Sequence, residues 1–396
     1  MSDGGSVSRL AEREETRPPL PQSAVAGGAV GLALLHVALF VFSLVALDHP
    51  NLLNQAAIRV LSADASRYHT IAQSRGVPYR DFDVEYPPLT LGAVELLNGT
   101  EAADTAKQVG AFSLILAFGI AAVLLLQWKE RAALWFLGLS VPLALFVYLR
   151  LDLLSVALAL LSIALLRWNR DRAAGVTLGL AVFAKVWPLA IAPLFLVERR
   201  WRALWWLAGT VVVGFAAWIP WAGWDAPVQV ATFRGAHGWQ IESLVGAIVL
   251  TFTGAREHVE TGAVRVGTAP HWAEGLLLAA GIVVIVVAWT KWRGGPESTD
   301  RWAVRAAVAV AVVLLVSPIL SPQYVVWLLP WMALAALEDR RLGVLTLVVT
   351  ILTTLIWFLP FRGISVLESL ILARNAALVS LVIGGLLWLR SARSPT

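Results

Sequence analysis

The sequence contains no cysteine, only four lysines, and charged residues at just 14% of its 396 positions. Without cysteine there are no disulfides, no thiolate metal sites and no thiol nucleophile. So little charge, beside 58% hydrophobic residues and a mean hydropathy of +0.73, excludes a soluble domain that hides its apolar residues in one core. The chain reads as an all-α polytopic membrane protein. Its six histidines show no HExxH spacing, and there is no P-loop, GxGxxG turn or serine-hydrolase elbow, so neither a metal nor a soluble cofactor is expected. The formal charge of +5 comes from 27 arginines and 4 lysines against 26 acids. These cations are spread through loops rather than gathered in a patch, which leaves no nucleic-acid reading.

What the sequence does have is a series of apolar runs of spanning length, beginning with Ala24 to Ala46. That first run is too long for a signal-peptide core and no small-residue cleavage pattern follows it, so it reads as a retained helix. Nineteen tryptophans suit interfacial belts. Positive charge orients the chain: the connections holding Lys129 and Arg131, Arg167 to Arg172, Arg199 to Arg202, Lys291 to Arg301, Arg340 and Arg341, and the tail with Arg390 and Arg393 are placed on the cytoplasmic side. The alternation holds only if the segment between Arg172 and Glu198 is two short helices meeting near Lys185, Trp187 and Pro188, because an X-Pro step disfavours helix. About twelve passes follow, with both termini cytoplasmic. The expected organisation is a tail at 1–24, one transmembrane domain at 25–390 with long outer loops at about 48–107 and 220–271, and a tail at 391–396.

On this topology the unusual polar residues gather on the outer side, where ionisable groups near membrane depth normally pair or line a cavity. Asp64, Arg67 and Tyr68 would share a helical face, and a carboxylate beside an arginine stays ionised as a general base must. A helix cap or surface pair explains Asp64 equally well. In GVPYRDFDVEYPPLT, Tyr79, Asp81, Asp83, Glu85 and Tyr86 precede a Pro-Pro step that starts an amphipathic segment lying on the membrane surface, with Glu85 near its positive end. The acids there serve catalysis or merely solvate the stretch. Arg150 and Asp152, two residues apart, can each find a different partner, although an ordinary helix-end pair is the simpler account. Lys185 interrupts an apolar segment and needs an anion, either a carboxylate or a lipid phosphate, unless it snorkels. Arg234, Arg362, His237, Gln240 and Glu242 fall in further outer connections, the last three just before a short apolar stretch that reads as a re-entrant or surface helix. Gln323 and Tyr324 head a later helix, and His36 reads as a packing residue.

Asp64 with Tyr68, GVPYRDFDVEYPPL, RLDLLSVALALL, GLAVFAKVWPLAIAPLFL followed by Arg199 and Arg200, QIESL and SPQYVVWLLP together resemble the GT-C glycosyltransferases of family 87, over about residues 25 to 390. That family includes actinobacterial polyprenyl-phosphate-mannose-dependent alpha-mannosyltransferases. The resemblance implies a GT-C-like fold with its active site on the outer face of a bacterial cytoplasmic membrane. It also implies a lipid-phosphate sugar donor, a glycolipid or glycan acceptor, inversion at the sugar, and an acidic base in the first outer loop. The residue at that position is Asp64, with Glu85 in reserve. Lys185, Arg150, Arg234 and His237 are expected at the donor phosphate. Arg67, Tyr68, Tyr79, Asp81, Asp83, Tyr86, Asp152, Gln240, Glu242, Gln323 and Tyr324 are expected around the substrates. A twelve-helix secondary transporter is the rival from another class.

Overall fold

A computed structural model of the protein describes residues 22–53, 55–233, 235–291, 301–358 and 364–391. Arg234, Arg362 and most of both expected tails lie outside the described residues. The chain forms α1 (Gln22–Asp48), α2 (Gln55–Gln73), α3 (Pro88–Leu96), α4 (Ala102–Trp128), α5 (Glu130–Ser140), α6 (Ala144–Tyr148), α7 (Asp152–Arg167), α8 (Asp171–Ala184) and α9 (Pro193–Val197). It continues with α10 (Trp201–Ala222), α11 (Asp225–Ala231), β1 (Trp239–Gln240), α12 (Leu244–Thr253), β2 (Glu257–Glu260), β3 (Ala263–Val266), α13 (His271–Thr290), α14 (Arg301–Val316), α15 (Leu329–Glu338), α16 (Arg340–Phe358) and α17 (Ile364–Ser391).

Among the described residues six helices, namely α1, α4, α10, α13, α16 and α17, are long and apolar enough to cross a membrane. The sequence leads to an expectation of about twelve passes; the shorter apolar helical segments Trp187–Val197 and Leu244–Thr253 fall below spanning length. The break proposed near Lys185 is present: α8 ends at Ala184, Trp187 to Ile191 make a 3-10 turn, and α9 begins at Pro193. Two prolines, each at the start of a helical piece where its missing N–H costs nothing, set this geometry.

Between helices in lipid, close approach and van der Waals contact hold elements together, since the surroundings are as apolar as the interface. The α8 and α10 pair illustrates this. Gly175 and Gly179, four apart on α8, let the two backbones meet. A Cβ at Gly179 would lie 2.7 Å from the Thr210 side chain, and one at Gly175 would run into the Ala203 carbonyl. His36, in the middle of α1, is satisfied as expected: its ring bonds the Tyr148 hydroxyl, the Leu137 carbonyl at 3.0 Å and Ser140 Oγ at 3.2 Å.

The bundle has two different ends. At one, Arg200 meets Asp171 at 3.4 Å and Asn169 at 3.1 Å, and Arg167 lies over the Trp128 ring at 5.0 Å. At the other, α2, the 76–87 loop and α11 come together on a second apolar cluster built on Tyr68, Ile71, Tyr79, Val84 and Trp218, while a small sheet packs through Trp239 and Val266 on a third cluster with Ile356 and Ile371. The all-α expectation holds for nearly all of the described residues, and this sheet of ten residues is the exception within it. It is antiparallel in the order β1-β3-β2, with Gln240 opposite Arg265 and His258 opposite Arg265 on its two edges. Its hairpin turns on Thr261 and Gly262, both at positive φ of 49° and 78°, the conformation a two-residue hairpin loop requires.

Candidate active site

The site grows from the middle of α2, the 76–87 loop, the turn leading into α7, the end of α8 and the 3-10 segment Pro322–Leu328. On α2, the buried spacing Ala65, Tyr68, Ile71 faces inward and carries Asp64 with it. The 76–87 loop is wound tightly: Asp81 accepts the Val77 N–H at 2.5 Å, the Tyr79 hydroxyl donates to the Tyr86 carbonyl at 2.5 Å, and Gln229 of α11 bonds both the Tyr79 carbonyl at 2.7 Å and the Val84 N–H at 3.2 Å. Tyr79 itself is left-handed, at φ 69°. This scaffold delivers Glu85 and Tyr86 to the interior and leaves Asp81 and Asp83 exposed at its rim.

Three ion pairs then converge from distant parts of the chain. Asp64 pairs with Arg150, Glu85 with Arg67 at 2.9 Å, and Asp152 with Lys185 at 3.6 Å. The i,i+3 partnership of Asp64 with Arg67 is therefore corrected. Arg67 forks onto both oxygens of Glu85 and reaches the Asp83 carbonyl at 2.7 Å, because a bidentate carboxylate matches a planar guanidinium better than a neighbour on the same helix. Burial works against the Arg67 charge, yet Glu85 raises its pKa on balance. Glu85 is likewise held by this arginine rather than by the positive end of α3. That helix begins at Pro88 and tucks against α8, Thr90 donating to the Ala184 carbonyl at 2.6 Å, instead of lying apart on a surface. Arg150 and Asp152 do find separate partners, as their spacing suggests.

Around Lys185 stand three aromatic faces, Tyr324 at 5.0 Å, Trp327 at 5.7 Å and Tyr86 at 5.8 Å. Ring quadrupoles stabilise a cation in such a setting. Trp327 also donates to Asp152 at 2.8 Å and is stacked between Tyr324 and Trp187, and the Trp187 indole donates to Ser155. Tyr68 accepts the Leu151 N–H at 3.3 Å and its ring lies 5.3 Å from Tyr86. Burial pushes the Tyr68 and Tyr86 hydroxyls well above their usual range, so both stay neutral donors. Side-chain exposure separates the carboxylates: 20% for Asp64 against 4% for Glu85, 7% for Asp152 and 2% for Glu242. Among these four paired carboxylates Asp64 is the most open.

The remaining expected residues divide. Gln240 stitches loops, its N–H on the Pro318 carbonyl at 3.1 Å and its Oε1 accepting from Leu320 at 3.0 Å. Gln323 and Tyr324 occupy a 3-10 segment, Pro322 to Leu328, and the buried Gln323 Oε1 has no hydrogen-bond partner among the described residues. Glu242 lies just before the α12 cap Ser243 and is held by Arg374 and Trp357. His237 stands away from the cluster, exposed, with its amide on Glu260 at 2.9 Å and its ring 6.5 Å from that of His271. Trp327, Gln229, Arg374 and Trp357 are the participants that sequence reasoning missed. Of these only Arg374 carries a sequence signal, as a charge inside an apolar run.

A helical membrane protein with paired charges and aromatic faces gathered at one end is built to handle a polar group delivered at the membrane. The model of glycosyltransferase family 87 matches residues 86–318, and the chain belongs to this family. It is thus a membrane glycosyltransferase, in place of the secondary transporter that its many passes also suit. No curated protein matches the chain.

Proposed function

We propose that the protein transfers a sugar, mannose, from a polyprenyl-phosphate donor to a glycolipid or glycan acceptor on the outer face of a bacterial cytoplasmic membrane. Asp64 is the base of a single inverting displacement. The observation that carries this reading is the Asp64–Arg150 pair, in which the most open of the buried carboxylates sits one guanidinium away from the Asp152–Lys185 pair.

In that displacement Asp64 takes the proton of an acceptor hydroxyl as its oxygen bonds the sugar C1. The bond from C1 to the phosphate oxygen breaks, and its electron pair leaves on the polyprenyl phosphate. Lys185 and Arg150 stabilise the charge that collects there, so the phosphate competes with Asp152 and Asp64 for cations already in place. Placing the phosphate here accounts for a buried Arg150 and a partly buried Lys185, each shared with a carboxylate. The unpartnered Gln323 Oε1 is an acceptor for a substrate hydroxyl.

Asp64→Asn keeps the shape and removes the base. Turnover should fall by roughly a thousandfold or more while donor binding survives, since a positioned base contributes about 10² to 10⁴. Turnover within a few-fold of wild type would rule Asp64 out as the base.

A further inference from the structure

Arg374 lies in the first half of α17, a helix apolar enough to span a membrane, and is fully buried. A guanidinium there is costly unless acceptors and a carboxylate surround it. Here the partners come from the connector before α12. Arg374 Nη2 donates to the Glu242 carbonyl at 2.5 Å, Nη1 lies 3.7 Å from the Glu242 carboxylate, and Nε donates to the Asn375 side chain at 3.0 Å. Asn375 in turn donates to the Glu242 and Ser243 carbonyls, both at 3.3 Å, and Trp357 of α16 donates to the Glu242 carboxylate at 3.2 Å.

Glu242 also feels Arg150 across the site, and Arg150 feels Asp152, Tyr324 and Glu242 besides its direct pair with Asp64. On the hairpin that follows α12, Arg265 lies 3.7 Å and His258 3.8 Å from Glu260, and Glu257 is exposed. Charges therefore alternate from the last helix into the site, in the order Arg374, Glu242, Arg150, Asp64.

We propose that Arg374 is a positioning residue that holds Glu242, through its carbonyl and carboxylate, where its charge acts on Arg150 across the site, so that Arg150 is shared and Asp64 keeps its strength as a base. The inference rests on the reading of Asp64 as that base. Burial pushes Glu242 up to about 7, against the pull of Arg374, Trp357 and Arg150. When Glu242 takes a proton, Arg150 bears more fully on Asp64, which becomes a weaker base, while the site becomes more positive toward a phosphate. Turnover and the donor KM then fall together as the pH drops through neutrality.

The test is the pH profile of kcat and KM, from about pH 6 to pH 9, with polyprenyl-phosphate mannose as donor. Wild type should lose roughly three- to tenfold in kcat across a limb near neutral pH, as expected for one charge acting through a partly buried site. Glu242→Gln, which leaves the carbonyl anchor to Arg374 intact, should abolish the limb and hold both kcat and KM at the low values. Arg374→Gln should move the limb to higher pH, and Arg374→Lys should move it back. Glu242→Gln with Arg374→Gln removes both buried charges and should match Glu242→Gln alone, which covers the case where one single variant fails to purify. A wild-type limb that persists in Glu242→Gln or in the double variant overturns the proposal. Failure of the Asp64 reading has a different signature, substantial turnover in Asp64→Asn at every pH.

Discussion

Lys185 is held by Asp152, three ring faces and, through Trp327, by a hydrogen bond that fixes Asp152 itself. These supports have separable effects. Trp327→Phe keeps the stack but removes the indole donor to a carboxylate, a contact worth about 1.5–3 kcal/mol. Donor binding measured with the purified protein should weaken about tenfold, while Lys185→Ala should weaken it further; unchanged affinity in both would remove Lys185 from the donor site. At this scale the sequence made the lone charges legible: Asp64, Arg150, Asp152 and Lys185 stand out against apolar neighbours. It hid their supports. One tryptophan among nineteen cannot be told from another by pattern. Arg374 escaped because arginines were assigned to the loops that orient the chain, and the partner that makes a buried one affordable lies more than a hundred residues away.

At the scale of elements, the break between α8 and α9 was readable, since the prolines and Lys185 mark it in the sequence. The helix pairing beside it was not, because which glycines face a neighbour depends on how the helices cross. Gly175 and Gly179 set the α8 and α10 approach, and that approach places the end of α8 beside Lys185. Gly175→Leu would force the Ala203 carbonyl away and separate the pair. The expected outcome is a thermal midpoint in detergent lowered by several degrees, consistent with an overpacking cost of about 1–3 kcal/mol, whereas Gly209→Leu, which meets nothing nearby, should leave it in place. The small sheet was missed for a different reason. Its strands are short, lie in a region read as connection, and are announced only by the Thr261-Gly262 turn between two alternating tetrads.

For the whole molecule, hydropathy alone carried the class and short ordered motifs carried the family, both of which stand. The division into two ends also follows from sequence, because the connections that the count of positive charges leaves on the opposite side are the ones that meet around Asp64 and Lys185. What no pattern conveyed is the degree of charge matching there. Asp64, Glu85, Asp152 and Glu242 each lie against a cation, so the proposed anionic donor would enter a site whose charges are already paired. The most direct measurement of the central claim is transfer by the purified protein, supplied in parallel with beta-linked polyprenyl-phosphate mannose and with a nucleotide sugar, to a panel of membrane glycolipids. The product's anomeric configuration is read by NMR. The account predicts an alpha-linked product from the lipid donor and none from the nucleotide sugar. Transfer from the nucleotide sugar alone, or a product that retains the beta configuration, would contradict it.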